Sequence, residues 1–468
     1  MKDVRSRMLA FGFAVCLLLL AARSAWSQRL GVAQSSSQQE TSGHDAVNRL
    51  TLDDLEKIAL AHNPTIGQAQ AEIQSVQGHK LQSGLYPNPT VGYIGEQIRG
   101  GAQRGGEQGF FVQQKIVLGG KLGLNRKIYE QERQQALAES AEQKLRVTTA
   151  VQLYFIRALA AQETVAVRRH LVELAEEAVT TSHQLYNVGE ADRPGVLEAE
   201  VEAQQAQLAL TAAEQNQQSV WQGLAATVGV PNLSMTPLAG NLETFGSLDQ
   251  STWLARMLQE APAVKIAELG VNKAEAVLAR ARRQPIPDLQ LRAGIEQNRE
   301  LSEFSGQPIG LQGFATVGVQ IPLFDRNQGN VEAARAQLDR ARREVERVRL
   351  VLQERAAPVF QNYETARDAV QRYKTQMLPR AQEAYDLYLK SYQQMAAAYP
   401  QVLIAQRTLF QLEDAYVAAL ERLGTSAIAL KSFLLIDGLG APTPAGQIDR
   451  PVREINLPSR MSGAGAYK

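Results

Sequence analysis

Between Leu289 and Glu296 apolar and polar positions alternate without exception. Leu289, Leu291, Ala293 and Ile295 fall on one side, and Gln290, Arg292, Gly294 and Glu296 on the other. That period of two is the signature of a strand with one apolar face. Ala315 to Ile321 repeats it. Earlier in the chain Val91, Tyr93, Phe110, Val112 and Ile116 share a face with Gly92, Glu96, Gln113 and Lys115 opposite, while Ile94 and Phe111 break the rule. The pattern predicts two hairpins, with strands at about 89–98 and 109–118 and at about 287–298 and 312–323. The connectors are Arg99 to Gln108 and Asn298 to Leu311. Strands of about ten residues cross a bilayer core when tilted, so Leu291, Val317 and Val319 are expected to face lipid and Gly318 and Gln320 an aqueous bore.

Elsewhere the period is helical. Thr51 with Asp53 and Asp54 reads as a helix start, and Leu52, Leu55, Ile58 and Ala59 supply its apolar face. A second helix follows Asn63-Pro64 and runs to about Ser83, where Tyr86-Pro87-Asn88-Pro89 stops it. After each hairpin comes a run of about 100 Å at 1.5 Å per residue: Lys121 to about Tyr186, and Arg326 to about Tyr392, the latter interrupted only by Pro358 and Pro379. Short turns at Asn187 to Pro194 and Gln393 to Pro400 lead into return helices, Gly195 to Val228 and Gln401 to Ile436. The expected products are two antiparallel helical hairpins.

The two halves share their punctuation. Pro64, Pro87 and Pro89 recur as Pro262, Pro285 and Pro287, each 198 positions on; Tyr186, Pro194, Val196 and Leu197 answer to Tyr392, Pro400, Val402 and Leu403, each 206 on. A shift that grows only in loops is what duplicated structure leaves behind. Two repeats are therefore expected, at 50–240 and 247–440, followed by a flexible tail at 441–468.

Composition changes the picture at the N-terminus. Lys2, Arg5 and Arg7 precede an apolar run from Met8 to Ala22, and Ala25-Trp26-Ser27 offers small residues for cleavage, so residues 1–27 read as a secretory signal. Residues 28–49 are Ser/Gln-rich and read as a disordered leader. The single cysteine, Cys16, lies inside the apolar run, so the expected mature chain carries neither a disulfide nor a lipid anchor. Charge is balanced, 49 basic against 48 acidic residues, which removes the electrostatic case for nucleic acid as a partner.

Four strands cannot close a barrel, and an open sheet edge in hydrocarbon costs several kcal/mol per unpaired backbone group. Closure must come from further copies of the chain: two would give eight strands, three would give twelve. On physical grounds an oligomer is required, its number open.

The twofold hairpin-plus-long-helix plan, with Tyr186-x-x-Gly189 and Val196-Leu197 repeated as Tyr392 with Val402-Leu403, resembles the TolC family of outer-membrane efflux proteins over about Leu50 to Leu439. Leu118-Gly119-Gly120-Lys121 and the stretch Ile321 to Asn330 are similar to the outer-membrane members of cobalt-zinc-cadmium-type resistance systems. The resemblance implies a homotrimer whose strands form one twelve-stranded barrel in outer-membrane lipid, continued by an α-helical barrel through the periplasm. It further implies a passive exit duct, served by a periplasmic adaptor and an inner-membrane pump and carrying heavy-metal cations. Other readings are a duct for drugs or secreted proteins and, in a different class, a periplasmic coiled-coil adaptor; the strand pairs speak against the last.

No chemistry is legible. The five histidines show no ligand spacing with acids, no H-E-x-x-H or phosphate-loop pattern occurs, and Gly119-Gly120-Lys121 suits a bend from strand to helix. No catalytic residue, cofactor or metal ligand is expected. The resemblance places a constriction at the helical turns, where its members often carry two acidic residues. Here those positions are Gln401 and Ile404, and the basic partner position is Ala397. Charges nearby are Glu190, Asp192, Arg193 and Glu198. The expected constriction is Asp192, Glu198, Tyr392, Gln401 and Ile404. The adaptor-docking turns are expected at Tyr186, Gly189, Pro194, Val196, Leu197, Pro400, Val402 and Leu403.

Overall fold

The computed structural model describes residues 50–96, 106–189, 192–243, 246, 248–301, 304–394 and 399–442. The signal and leader, the connector at 97–105, Glu190, Ala397 and the tail beyond 442 lie outside them. Helix α1 (Leu52–His62) opens with a capping box in which Thr51 and Asp54 satisfy each other's backbone N–H groups. Asn63 caps α2 (Pro64–Ser83) through Thr65 N–H at 3.0 Å. After the prolines come β1 (Thr90–Glu96) and β2 (Glu107–Ile116), then the 67-residue α3 (Lys121–Asn187) and its antiparallel return α4 (Arg193–Val228). The second passage runs α5 (Gln250–Glu260), α6 (Pro262–Arg283), β3 (Leu289–Leu301), β4 (Pro308–Val319), α7 (Gln328–Arg372), α8 (Leu378–Gln393) and α9 (Tyr399–Lys431).

The strands form one antiparallel sheet in the order β1-β2-β3-β4. Its two hairpins, separated in sequence by α3 and α4, are joined through β2 and β3, from Glu107 opposite Asn298 to Ile116 opposite Leu289. β1 and β4 are therefore the open edges.

Among the described residues four buried clusters hold the helices, and the two largest join the short helices to the long ones. In one, Leu55 and Ala59 of α1 meet Val147, Val151 and Phe155 of α3 and Leu224 of α4. In the other, Trp253 and Met257 of α5 meet Val359, Phe360 and Tyr363 of α7 and Leu430 of α9. The Trp253 and Phe360 rings meet edge to face at 5.0 Å, and Trp253 Nε1 donates to the Leu430 carbonyl at 2.8 Å. Truncating Trp253 to Ala would cost about 3–5 kcal/mol. Tyr363 Oη donates to the Gly246 carbonyl and accepts from Leu248 N–H, fastening the connector that leads into α5.

Several expectations need correction. The second long helix breaks before Pro379, not at Pro358. α7 runs through Pro358 and ends at Arg372, and a π-helical turn, Tyr373–Met377, absorbs the donor that Pro379 lacks before α8 begins. β4 stops at Val319 and not at 323, because Pro322 has no N–H for a ladder. β2 starts and ends two residues earlier than expected, at Glu107 and Ile116. β3 continues to Leu301 and β4 starts at Pro308, so the connector placed at Asn298 to Leu311 is shorter than its sequence suggested; Asn298 pairs with Gly310 inside the ladder.

Candidate functional site: the two sheet faces and the helical turns

Register sorts the strand residues into two faces. Val91 lies opposite Val112, Tyr93 opposite Phe110, Phe110 opposite Ile295 and Leu291 opposite Val317. On this apolar face Val91, Tyr93, Phe110, Ile295, Leu311 and Val317 are each more than half exposed. An apolar patch of this extent on both hairpins is a surface made for a nonaqueous surrounding. Among the described residues no helix is long and apolar enough to cross a membrane.

The opposite face carries Glu96, Glu107, Gln113, Lys115, Gln290, Arg292, Glu296, Gln312 and Thr316, together with the exceptions Ile94 and Phe111. Phe111 is explained by its neighbours: the Arg292 guanidinium lies 4.0 Å from the centre of its ring and 5.7 Å from that of Phe314. Glycines make the room. A Cβ on Gly92 would sit 2.6 Å from the Phe111 ring, and one on Gly294 2.6 Å from the Phe314 ring.

The sheet passes into α3 through a polar hub. Asp288, just before β3, accepts from Lys121 Nζ at 2.8 Å and from Leu118 N–H at 3.2 Å, and pairs with Lys115 at 3.1 Å. Lys121 is buried, and that carboxylate is its ion-pair partner. The bend read from Gly119-Gly120 is present: both have positive φ, +71° and +68°, and Gly120 caps α3. Asn327, at φ +61°, does the same for α7 and donates to the Ala281 carbonyl at 2.9 Å.

At the far ends of the long helices, Gly189 turns at φ +80° and Asp192 caps α4 by accepting from Gly195 N–H at 3.1 Å. Val196, Val402 and Leu403 are buried within the protomer. Tyr186, Pro194, Leu197, Glu198, Pro400, Gln401 and Ile404 are exposed, Ile404 at 65%. Tyr392 is partly buried, and that burial raises its phenol pKa. The helix pairs are tied by ions that the sequence did not reveal. Arg407 of α9 forks onto Glu202 of α4 with Glu198 also in its field, and Arg168 of α3 pairs with Asp414 of α9. Burial raises the Asp414 carboxyl against the pull of Arg168. His183 and Glu200 meet at 3.1 Å between α3 and α4. Among the described residues, no group of three or more His, Cys, Asp or Glu is placed to hold a metal ion.

Comparison with known proteins agrees with this geometry. The outer membrane efflux protein family model matches residues 55–230 and 253–434. The cobalt-zinc-cadmium resistance protein CzcC of Cupriavidus metallidurans is 27% identical over 436 residues, 92% of this chain and 100% of that protein. The nickel-cobalt-cadmium resistance protein NccC of Alcaligenes xylosoxydans xylosoxydans is 26% identical over 62% of this chain and 65% of that one. The crystal structure of the outer membrane protein VceC of Vibrio cholerae superposes with a TM-score of 0.64 at 19% identity, over 83% of this chain and 97% of that one. With the model covering most of the sequence and the fold shared, the chain belongs to the outer membrane efflux protein family, a family of ducts and not of enzymes.

Proposed function

We propose that three copies of the chain close one twelve-stranded barrel in the outer membrane and continue it as a helical tube through the periplasm, forming the exit duct of a tripartite efflux system for heavy-metal cations. The observation that carries this reading is the four-stranded sheet with open edges at β1 and β4 and one exposed apolar face. In lipid such a sheet is tolerated only when its edges pair with those of further copies. Three copies leave a wider bore than two, and the length of α3, about 100 Å, suits a tube that reaches far from the membrane.

The metal cargo is supported by the names of the two resistance proteins it resembles, CzcC and NccC. A periplasmic adaptor and an inner-membrane pump would load the duct from the turn end. The exposed Tyr186, Pro194, Leu197 and Pro400 suit docking there. Gln401, Ile404 and Glu198 suit a constriction, with Asp192 fixed as a helix cap and Tyr392 partly buried. The repeats at 50–240 and 247–440, and removal of residues 1–27 on export, belong to the same proposal.

The test is deletion of the gene from its own host and titration of growth against cobalt, zinc and cadmium salts and against lipophilic drugs. The proposal expects lost metal tolerance, restored by a plasmid copy. Lost drug tolerance with metal tolerance intact would favour the drug duct instead, and recovery of the protein as a soluble periplasmic species would favour an adaptor.

A further inference from the structure

On the polar face of the sheet the charges are sorted by height. Glu96 lies opposite Glu107 at the end of β1 away from the helices, and Glu296 is one step nearer, opposite Gly109. Toward the helices come Lys115, taken up by Asp288, and Arg292. Arg292 has no such partner: no described carboxylate pairs with it, and its Nε is buried without a hydrogen bond. It is held by rings instead, 4.0 Å from the centre of Phe111 and 5.7 Å from that of Phe314, within the range of cation–π attraction. The Gly92 and Gly294 gaps let both rings lie against the sheet. A guanidinium so held keeps its charge at a fixed height without neutralising it.

We infer that Arg292, clamped by Phe111 and Phe314, forms a cationic belt at the helix-side end of the barrel bore and lowers the preference of that bore for small free cations over anions. The inference rests on the duct reading above, which makes this face the bore. Unpaired charges lining an aqueous passage repel ions of their own sign, as rings of Arg or Lys do in anion-selective pores. Three charges about 10 Å from the axis in 0.1 M salt bias the cation-to-anion ratio by on the order of fourfold.

The test is the reversal potential of the purified full-length assembly in planar bilayers under a KCl gradient. Arg292→Gln should raise the cation-to-anion permeability ratio by on the order of fourfold, while Arg292→Lys, which keeps the charge, should stay near the parent. Thr316→Glu leaves Arg292 and its rings in place and puts a carboxylate directly opposite it in the ladder; it should shift the ratio the same way. Glu296→Gln should shift it the other way. An unchanged ratio in Arg292→Gln overturns the belt, even where the parent conducts normally and Thr316→Glu shifts the ratio by its own charge. A parent that does not conduct at all overturns the duct reading, and the belt with it.

Discussion

Arg407 on α9 holds Glu202 on α4 with two guanidinium nitrogens on two carboxylate oxygens, Nε at 3.1 Å from Oε1, and so ties one helical hairpin to the other a few turns from the tips. Forked pairs of this kind add geometric constraint as well as attraction. The Glu202 side chain is largely covered and that of Arg407 is half exposed, so a double-mutant cycle should return about 0.5–1 kcal/mol of coupling. Glu202→Ala should loosen the tips and raise single-channel conductance. Equal conductance in Glu202→Ala and the parent would show that the fork does not restrain the opening.

Ile404 is the second lever at the same end. Its 65% exposure on α9 fits a residue that meets copies of itself across an axis. Aspartate there would bring like charges together at a narrow point and favour the open state. Ile404→Asp should therefore raise conductance, and Glu198→Gln should lower cation preference; two variants indistinguishable from the parent would move the constriction elsewhere.

The two sheet faces should respond oppositely to arginine. Leu291→Arg or Val317→Arg, paired on the apolar face, should each cost about 2–4 kcal/mol near the bilayer midplane. Val319→Arg, at the end of β4, should cost less. Arginine at Gln290 or Gly318, paired on the polar face, should be tolerated. Survival of the assembled band on detergent gels after graded heating reads the difference, and equal defects on both faces would refute the register.

At the junction, Asp288→Ala would leave Lys121 buried without its carboxylate. Stranding one partner of a buried pair costs about 3–5 kcal/mol. The expected result is early protease cleavage between sheet and α3, and Asp288→Glu should restore most of the resistance.

Glu130 gives the pH prediction. Hydrogen bonds from Arg133 first, and then Lys80, hold its carboxyl well below the ordinary 4.5. A depressed folded value means that the contribution is present above the unfolded pKa and is lost as pH falls through the folded one. The Lys80 bond ties α2 to α3, so hydrogen exchange of α2 amides, corrected for intrinsic rate, should accelerate below about pH 4.5 in the parent. Glu130→Gln should show faster exchange at neutral pH and a weaker acid step.

Much of this plan was legible because it repeats locally. The alternation at 289–295 identified both faces, and Gly119-Gly120 announced the bend into α3. What was hidden depends on partners far along the chain. Phe111 broke the pattern because Arg292, on a strand beyond two long helices, supplies its reason for facing the polar side. Arg407 and Glu202 lie 205 positions apart, with nothing local to mark them as a pair. The turn candidates Val196, Val402 and Leu403 looked available as sequence but are buried, since an apolar pair at a helical turn serves packing as readily as docking. Pro379 marked the break in the second long helix, but the form it takes, a π-turn that begins after Arg372, has no composition signal.

The central claim is that open β1 and β4 edges are closed by other copies of the chain. Native mass spectrometry of the complex extracted from outer membranes in mild detergent counts the chains directly. The expected result is a single species of three chains that separates only on strong heating; a stable single chain, or a dimer, would contradict a shared twelve-stranded barrel.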